Sequence, residues 1–259
     1  MTMNNIKPNF LIIGAAKAAT TTLSNMLSLH PQAAIAKGKE PHFFSTDRYL
    51  NLGWSNYQDL YKHCTNEIAI GDASTSYSRL RYHPETIQRI KQHISSIKII
   101  YMVRQPLDRM VSAYIERLAS PALNETPGSI NQAVKQQPMI IDSSRYWETY
   151  EAYRNAFGEE NIKIVWFEEF IKQPDDVFSD VCQFLEIDNH INVDINAIKQ
   201  NTRNDVLNRV DNLGRSNIEI NTTWSKKTKK WVVEQIHDDI SQFLKHFKKP
   251  KTYWGDEFK

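Results

Sequence analysis

The sequence predicts an α/β protein: a three-layer sandwich with helices on both faces of a central parallel β-sheet of about five strands. Three observations carry that expectation. Short apolar runs of strand length alternate with longer segments of helical spacing, the order a parallel sheet requires. The best of these runs are apolar at nearly every position, as in strands covered on both faces. The chain of 259 residues also carries no internal repeat, low-complexity tract or Pro/Gly/Ser linker, so one domain, 1–259, is the economical organisation.

Taken in order, Asn9–Ile13 is the first strand, and a helix over Thr20–Leu29 follows it, ended by His30-Pro31 because the residue before proline avoids the helical region. Ile68–Ile70 reads as a short second strand ahead of Gly71-Asp72. Pro84–Ile94 has helical spacing, with Ile87, Ile90 and Ile94 on one side. Ile97–Val103 is the strongest strand of the chain, and Pro106 sits where a first-turn proline belongs, opening a helix to about Leu118. The stretch 119–143 holds Pro121, Pro127, Gly128 and Pro138 and reads as a variable, acceptor-side insert with one helix over Ser129–Gln136. A helix over Ser144–Phe157, a strand over Ile162–Phe167 and helices over Asp175–Leu185 and Ser225–Phe247 complete the pattern. Trp147, Tyr150, Tyr153 and Phe157 recur at helical spacing and read as core. The polar stretch 188–224 gives no regular pattern.

Composition removes several classes of partner. A formal charge of +2 leaves no broad field for nucleic acid or an acidic membrane, so an anionic ligand has to be held by local charges. The two cysteines, Cys64 and Cys182, lack companions at zinc or redox spacing, which fits a reducing compartment. Residues 1–8 are polar and the run Phe10–Ile13 is too short for a signal or a span, so a cytoplasmic chain without a membrane segment is expected.

Two segments carry chemistry. In the first, a strand runs into a turn opened by Gly14, then Lys17 and three consecutive threonines, Thr20, Thr21 and Thr22, at the start of a helix. A helix N-terminus presents unpaired N–H groups and the positive end of the dipole. A lysine and three hydroxyls there make an anion cradle. Glycine and threonine alone are ordinary punctuation of such a turn; the lysine among them is not. The pattern is no Walker A loop, since Lys17 is followed by Ala18 rather than Ser or Thr and no glycine stands directly before it. In the second segment, Arg104 ends the strongest strand and Ser112 lies in the helix opened by Pro106. An arginine fork and a serine hydroxyl can converge there on one phosphate. Arg109 is placed instead on a solvated face, paired with Asp108 or Glu116.

These segments resemble the PAPS-dependent sulfotransferases. Lys17-Ala18-Ala19-Thr20-Thr21 is similar to the family's 5'-phosphosulfate loop, departing from it at Ala19, where the family usually has glycine. Arg104 to Tyr114 fills the family's 3'-phosphate pattern, Arg-x-Pro-x-x-Arg-x-x-Ser-x-Tyr. His30-Pro31, Glu40-Pro-His-Phe-Phe44, Gly71–Tyr77 and Phe167–Phe170 fall in the family's order, nearest to the heparan-sulfate-type and bacterial branch. The resemblance implies a P-loop-like sulfotransferase fold and the donor 3'-phosphoadenosine-5'-phosphosulfate (PAPS). Lys17, Ala18, Ala19, Thr20, Thr21 and Thr22 would hold its 5' end, and Arg104 and Ser112 its 3'-phosphate. No metal is required. In that branch the glutamate at the position of Glu40 is the base; the competing reading of Glu40 is an ion pair with Lys37 or Lys39. His42 is the second candidate, as an orienting residue. Asp72, Tyr77 and Tyr146 are expected on the acceptor side with Glu40. Asp72-Ala73 keeps the acidic member of the branch's acidic-lysine pair without the lysine. The acceptor is a glycan or small molecule. Two alternatives stand beside this reading: a metal-dependent kinase using ATP, and a non-catalytic nucleotide-binding module.

Overall fold

The computed structural model describes residues 6–38, 40–120, 128–191, 193, 203–213 and 220–259. They fall into two compact units, one from Met1–Val103 and Tyr150–Lys199, the other from Arg104–Thr149 and Gln200–Lys259.

The first unit contains the whole sheet. Its five strands are β1 (Phe10–Gly14), β2 (Ala33–Ile35), β3 (Ala69–Ala73), β4 (Lys98–Val103) and β5 (Ile162–Trp166). All pair in parallel, in the order β2-β3-β1-β4-β5. The expected α/β class with a central parallel sheet is therefore the observed one. Phe10, Leu11, Ile12 and Ile13 have no exposed surface, because β1 is covered on both faces and flanked by β3 and β4. The chain leaves β1 towards β2 on one side, yet crosses from β3 to β4 in the opposite direction. Right-handed crossovers then put α1 (Thr20–Leu29) and the helix Thr86–His93 on opposite faces. The reversal falls at the carboxyl end of β1, which is where open parallel sheets bind ligands.

Sequence and structure differ in particulars. α1 has the expected bounds, but β1 begins one residue later than anticipated because Asn9 is used as a peg. Its amide donates to Ile68 O (2.7 Å) and accepts from Ile70 N (2.9 Å). β3 extends through Gly71, Asp72 and Ala73, so Asp72 lies inside the strand rather than after it. β2 and the short helices Asp47–Leu50 and Trp54–Asp59 have no counterpart in the sequence reading. Each is six residues or fewer, too short to show a period.

The turn from β1 to α1 has a demanding backbone. Gly14 has φ +142°, and a methyl on it would lie 2.3 Å from Ser78 Oγ, so only glycine fits. Lys17 (φ 72°) and Ala19 (φ 67°, ψ 24°) are both left-handed. The sequence leaves two reasons for a glycine at position 19, a positive φ or a close approach of the phosphate; the backbone shows the first to apply.

In the second unit, Pro106 opens a helix that ends at Leu118, as expected, with the Gln105 side chain accepting from Asp108 N (2.7 Å). Ile130–Gln136 forms inside the insert, capped by Ser129, and Met139–Asp142 follows it. Lys226–His246 is the long C-terminal helix, and it buries Val232, Ile236, Ile240, Phe243 and Leu244. Asp239 on this helix accepts from the backbone N–H of Trp147 (3.0 Å) and Glu148 (2.9 Å), the first turn of the helix Tyr146–Phe157. Arg109 departs from the sequence reading. It is 1% exposed, not solvated, and donates to Ser144 Oγ (2.7 Å) and to the carbonyl of Ile140. Glu116 instead receives Arg209, at 2.9 and 3.1 Å. Residues 121–127 of the insert lie outside the described residues.

Two predictions follow from these backbones. A left-handed alanine costs about 1 kcal/mol relative to glycine, part of which the looser unfolded chain takes back. Ala19→Gly is therefore expected to stabilise the fold by about 0.5 kcal/mol, seen as a higher urea midpoint; an unchanged or lower midpoint removes the strain argument. For Asp239, burial pushes the carboxyl up to about 6, against the pull of the two N–H donors. A raised folded pKa means that the native state binds the proton more tightly, so stability falls as pH rises from about 4 to 6 and is flat above. Melting temperatures of the wild type minus those of Asp239→Asn should decline across that window. A difference that is constant from pH 4 to 7 would assign the carboxyl an ordinary pKa.

Candidate active site

The β1–α1 turn supplies the first part of the site. The first turn of α1 contains no acidic residue, and no side chain caps its N–H groups. Thr20 is 7% exposed, while Lys17, Thr21 and Thr22 are half-buried, so the turn offers one charge and several donors at the positive end of a helix. The loop is held from below: Ala15 N donates to Met102 O (2.6 Å) and Ala18 N to Ala15 O (3.2 Å).

Glu40 and His42 form the second part, in the same unit. Both have positive φ, 51° and 54°, an uncommon state for such residues that is maintained where surroundings over-determine it. Glu40 does not turn outward to Lys37; Lys39 lies outside the described residues. Its Oε2 accepts from Thr75 Oγ1 (3.0 Å) and lies 3.5 Å from His42 Nε2, while Oε1 has no partner among the described residues. The carboxylate is thus anchored through one oxygen and offers the other. The His42 ring contacts Ser76 Oγ at 2.6 Å through Nδ1, and Ser76 in turn contacts Ser45 Oγ at 2.7 Å. Burial pushes the His42 imidazole below its ordinary pKa; Glu40 opposes that and Arg79 adds to it. His42 is thereby held toward its neutral form, with Nε2 facing the anchored oxygen of Glu40. The two parts meet through Thr75: its carbonyl accepts from Ser78 Oγ (3.1 Å), and Ser78 is the residue that packs on Gly14.

Asp72 and Tyr77, expected on the acceptor side, are each 0% exposed. Asp72 accepts from Tyr77 Oη (2.6 Å), Ser74 Oγ (2.9 Å) and Tyr57 Oη (3.0 Å), and Tyr61 Oη donates on to Tyr57 (2.9 Å). Burial pushes the Asp72 carboxyl up to about 6 even against these three donors. A carboxylate enclosed in this way does not reach an acceptor. It fixes Ser74, whose Oγ accepts from the backbone N–H of His42 (3.0 Å), and so sets the Glu40–His42 segment in place. Phe43 and Phe44 anchor the other end of that segment against Tyr57, Trp54 and His93, with Phe43 stacked on Tyr57 at 4.5 Å.

In the second unit, Arg104 follows β4 directly and is half-buried, as is Ser112. Tyr146 is 0% exposed and packed on Phe243 and Trp254. Its hydroxyl donates to Arg104 O (2.7 Å) and receives Arg104 N (3.4 Å). Like Asp72, it serves as a clamp rather than an acceptor contact: it fixes the backbone from which Arg104 projects.

The sequence reading missed Thr75, Ser76, Ser45 and Tyr57. One signal for the first two was present: Ser74-Thr-Ser76 is a run of small hydroxyl residues at the carboxyl end of a parallel strand.

Comparison with known proteins places this geometry. The profile described as "Sulfotransferase domain" matches residues 7–253. The membrane-associated sulfotransferase kil1 of Dictyostelium discoideum is 28% identical over 159 residues, covering 59% of this chain and 32% of that protein. Human heparan sulfate glucosamine 3-O-sulfotransferase 6 is 34% identical over 121 residues, 47% of this chain and 32% of that one. The matched stretch thus spans about a third of either relative's length. Among solved structures, a sulfotransferase from Alicyclobacillus acidocaldarius aligns with TM-score 0.75 at 24% identity, covering 96% of this chain and 99% of that one. Mouse sulfotransferase SULT7A1 complexed with PAP aligns at TM-score 0.58 and 15% identity, covering 93% and 88%. The structural likenesses carry the fold, and the profile, running through almost the whole sequence, carries the family: the chain belongs to the sulfotransferases.

Proposed function

We propose that this chain transfers the sulfuryl group of PAPS to a hydroxyl or amine of an acceptor, with a carbohydrate-like acceptor favoured, and releases adenosine 3',5'-bisphosphate (3',5'-ADP). The observation that carries this reading is Glu40, anchored through Oε2 with Oε1 unengaged among the described residues and tied through Thr75 and Ser78 to the start of the β1–α1 turn. Base and anion cradle are held by one short chain of contacts.

In this reading the acceptor oxygen or nitrogen attacks sulfur in line. A new bond to sulfur forms, the bond from sulfur to the bridging oxygen breaks, and the acceptor proton passes to Glu40. Negative charge then grows on the departing 5'-phosphate oxygen. Lys17, the N–H groups of Ala18 and Ala19, and the hydroxyls of Thr20, Thr21 and Thr22 offset it, in a place already ordered before the reaction begins. Arg104 and Ser112 hold the 3'-phosphate, which separates this donor from ATP. His42 orients Glu40. The transferring sulfuryl carries less charge than a phosphoryl group, so the chemistry proceeds without a metal. The same proposal treats residues 1–259 as one sulfotransferase domain and places it in the cytoplasm. In support of a reducing compartment, both cysteines are free thiols.

Turnover with PAPS and a panel of acceptors tests the proposal. Glu40→Gln should keep its affinity for 3',5'-ADP and lose at least about a hundredfold in kcat, the usual contribution of a positioned base. Retention of most of the rate puts the base elsewhere. Arg104→Ala should weaken 3',5'-ADP binding by about 1.5–3 kcal/mol, the range for a lost charged hydrogen bond. Adenosine 5'-phosphosulfate, which lacks the 3'-phosphate, should bind wild type and variant alike. Equal weakening of both nucleotides detaches Arg104 from the 3'-phosphate.

A further inference from the structure

One side chain beside Glu40 has no part in the chemistry above. Arg79 follows the short turn Thr75–Ser78, one position after the serine that packs on Gly14. Its guanidinium lies in the field of Glu40, which favours its charge, and its own charge disfavours protonation of His42 and His83. Burial works against the cation. Even so, Arg79 makes no ion pair and no side-chain hydrogen bond among the described residues, and its Nε is buried without an acceptor.

The neighbouring acceptors do not relieve it. Oε2 of Glu40 is taken by Thr75, and no guanidinium nitrogen of Arg79 comes within ion-pair distance of that carboxylate. His42 spends Nδ1 on Ser76. A donor nitrogen left buried without an acceptor is costly, and native proteins retain one where something else supplies the acceptor. What matches a guanidinium with an unused Nε is a flat or tetrahedral oxyanion able to take two parallel hydrogen bonds.

We propose that Arg79 binds an anionic group of the acceptor, a carboxylate or sulfate carried near the attacking hydroxyl or amine, and thereby selects acidic acceptors over neutral ones. The inference rests on the reading of Glu40 as base: with its anion on Arg79, the acceptor directs its nucleophile at the open Oε1. Arg79 is thus a specificity-determining contact of the same site.

The test compares p-nitrophenyl β-D-glucuronide with p-nitrophenyl β-D-glucoside, which differ at the sugar by one carboxylate. Both are titrated calorimetrically into the full chain loaded with 3',5'-ADP. The wild type is expected to bind the glucuronide at least about tenfold more tightly, the lower end for a charged hydrogen bond. Arg79→Met should bring the two within about twofold, and Arg79→Lys should keep part of the preference. No preference in the wild type, absence of binding by both included, overturns the proposal, as does a preference that survives in Arg79→Met. If circular dichroism shows Arg79→Met unfolded, Arg79→Gln takes its place under the same criterion. The rise in melting temperature with 3',5'-ADP is read first. Its absence from the wild type strikes at the donor assignment itself. Its presence without a glucuronide preference strikes at Arg79 alone.

Discussion

The candidate site depends on a carboxylate that never meets solvent. Asp72 sits in the middle of β3, opposite Leu11 of β1, where burial of an ionised group is expensive unless donors surround it. Three hydroxyls do so, Tyr57 from before the strand and Ser74 and Tyr77 from just after it. The requirement has a structural product. Ser74 is fixed on Asp72 and accepts the His42 N–H, while Tyr57 is fixed by the same carboxylate and forms the surface on which Phe43 stacks. The segment carrying Glu40 and His42 is held at both ends by groups that exist to satisfy one buried charge. Its left-handed backbone at both residues is the local cost of pointing the two side chains at Thr75 and Ser76.

The anion turn follows a different rule. Ala15 and Ala18 are fully buried, yet the turn's shape is set by backbone sterics. Ser78 beneath Gly14 excludes any side chain at position 14, while positions 17 and 19 take left-handed φ without a glycine at either. Ala19 bears that strain with a methyl group, and α1 begins immediately after it with its N–H groups uncapped. Strain and uncapped donors in adjacent residues are hard to account for as a means of stability. Both are consistent with a turn whose partner is an anion.

What could be read in the sequence follows the range of the interactions concerned. The parallel sheet was legible because four of its five strands carry apolar runs, and the helix bounds at Thr20, Pro106 and Leu118 were legible because they rest on local signals, a hydroxyl-rich start and a first-turn proline. β2 escaped because Ala33-Ala-Ile35 is three residues long and becomes a strand only by pairing with β3. The same division separates the site residues. Lys17, Glu40 and Arg104 stand in patterns that local chemistry makes conspicuous. Asp72, Tyr77 and Tyr146 were visible as polar residues in the right places, yet whether each faces a substrate or a neighbour is decided by tertiary packing. All three turn inward.

Arginine shows most plainly why residue type alone could not settle the site. Arg104 and Arg109 lie five positions apart on one strand–helix junction, with identical chemistry. Arg109 falls on the side of the helix that faces Ser144 and the Ile140 carbonyl and is consumed there; Arg104, one residue past the strand, has its backbone gripped by Tyr146 while its side chain is left half-buried. Arg209 is spent on Glu116, one of the two partners the sequence suggested for Arg109. Arg79 shares a buried Nε without an acceptor with Arg104 and Arg209, but unlike Arg209 it makes no ion pair among the described residues. A guanidinium is made functional or structural by what surrounds its nitrogens, and only the folded chain shows which nitrogens are already engaged.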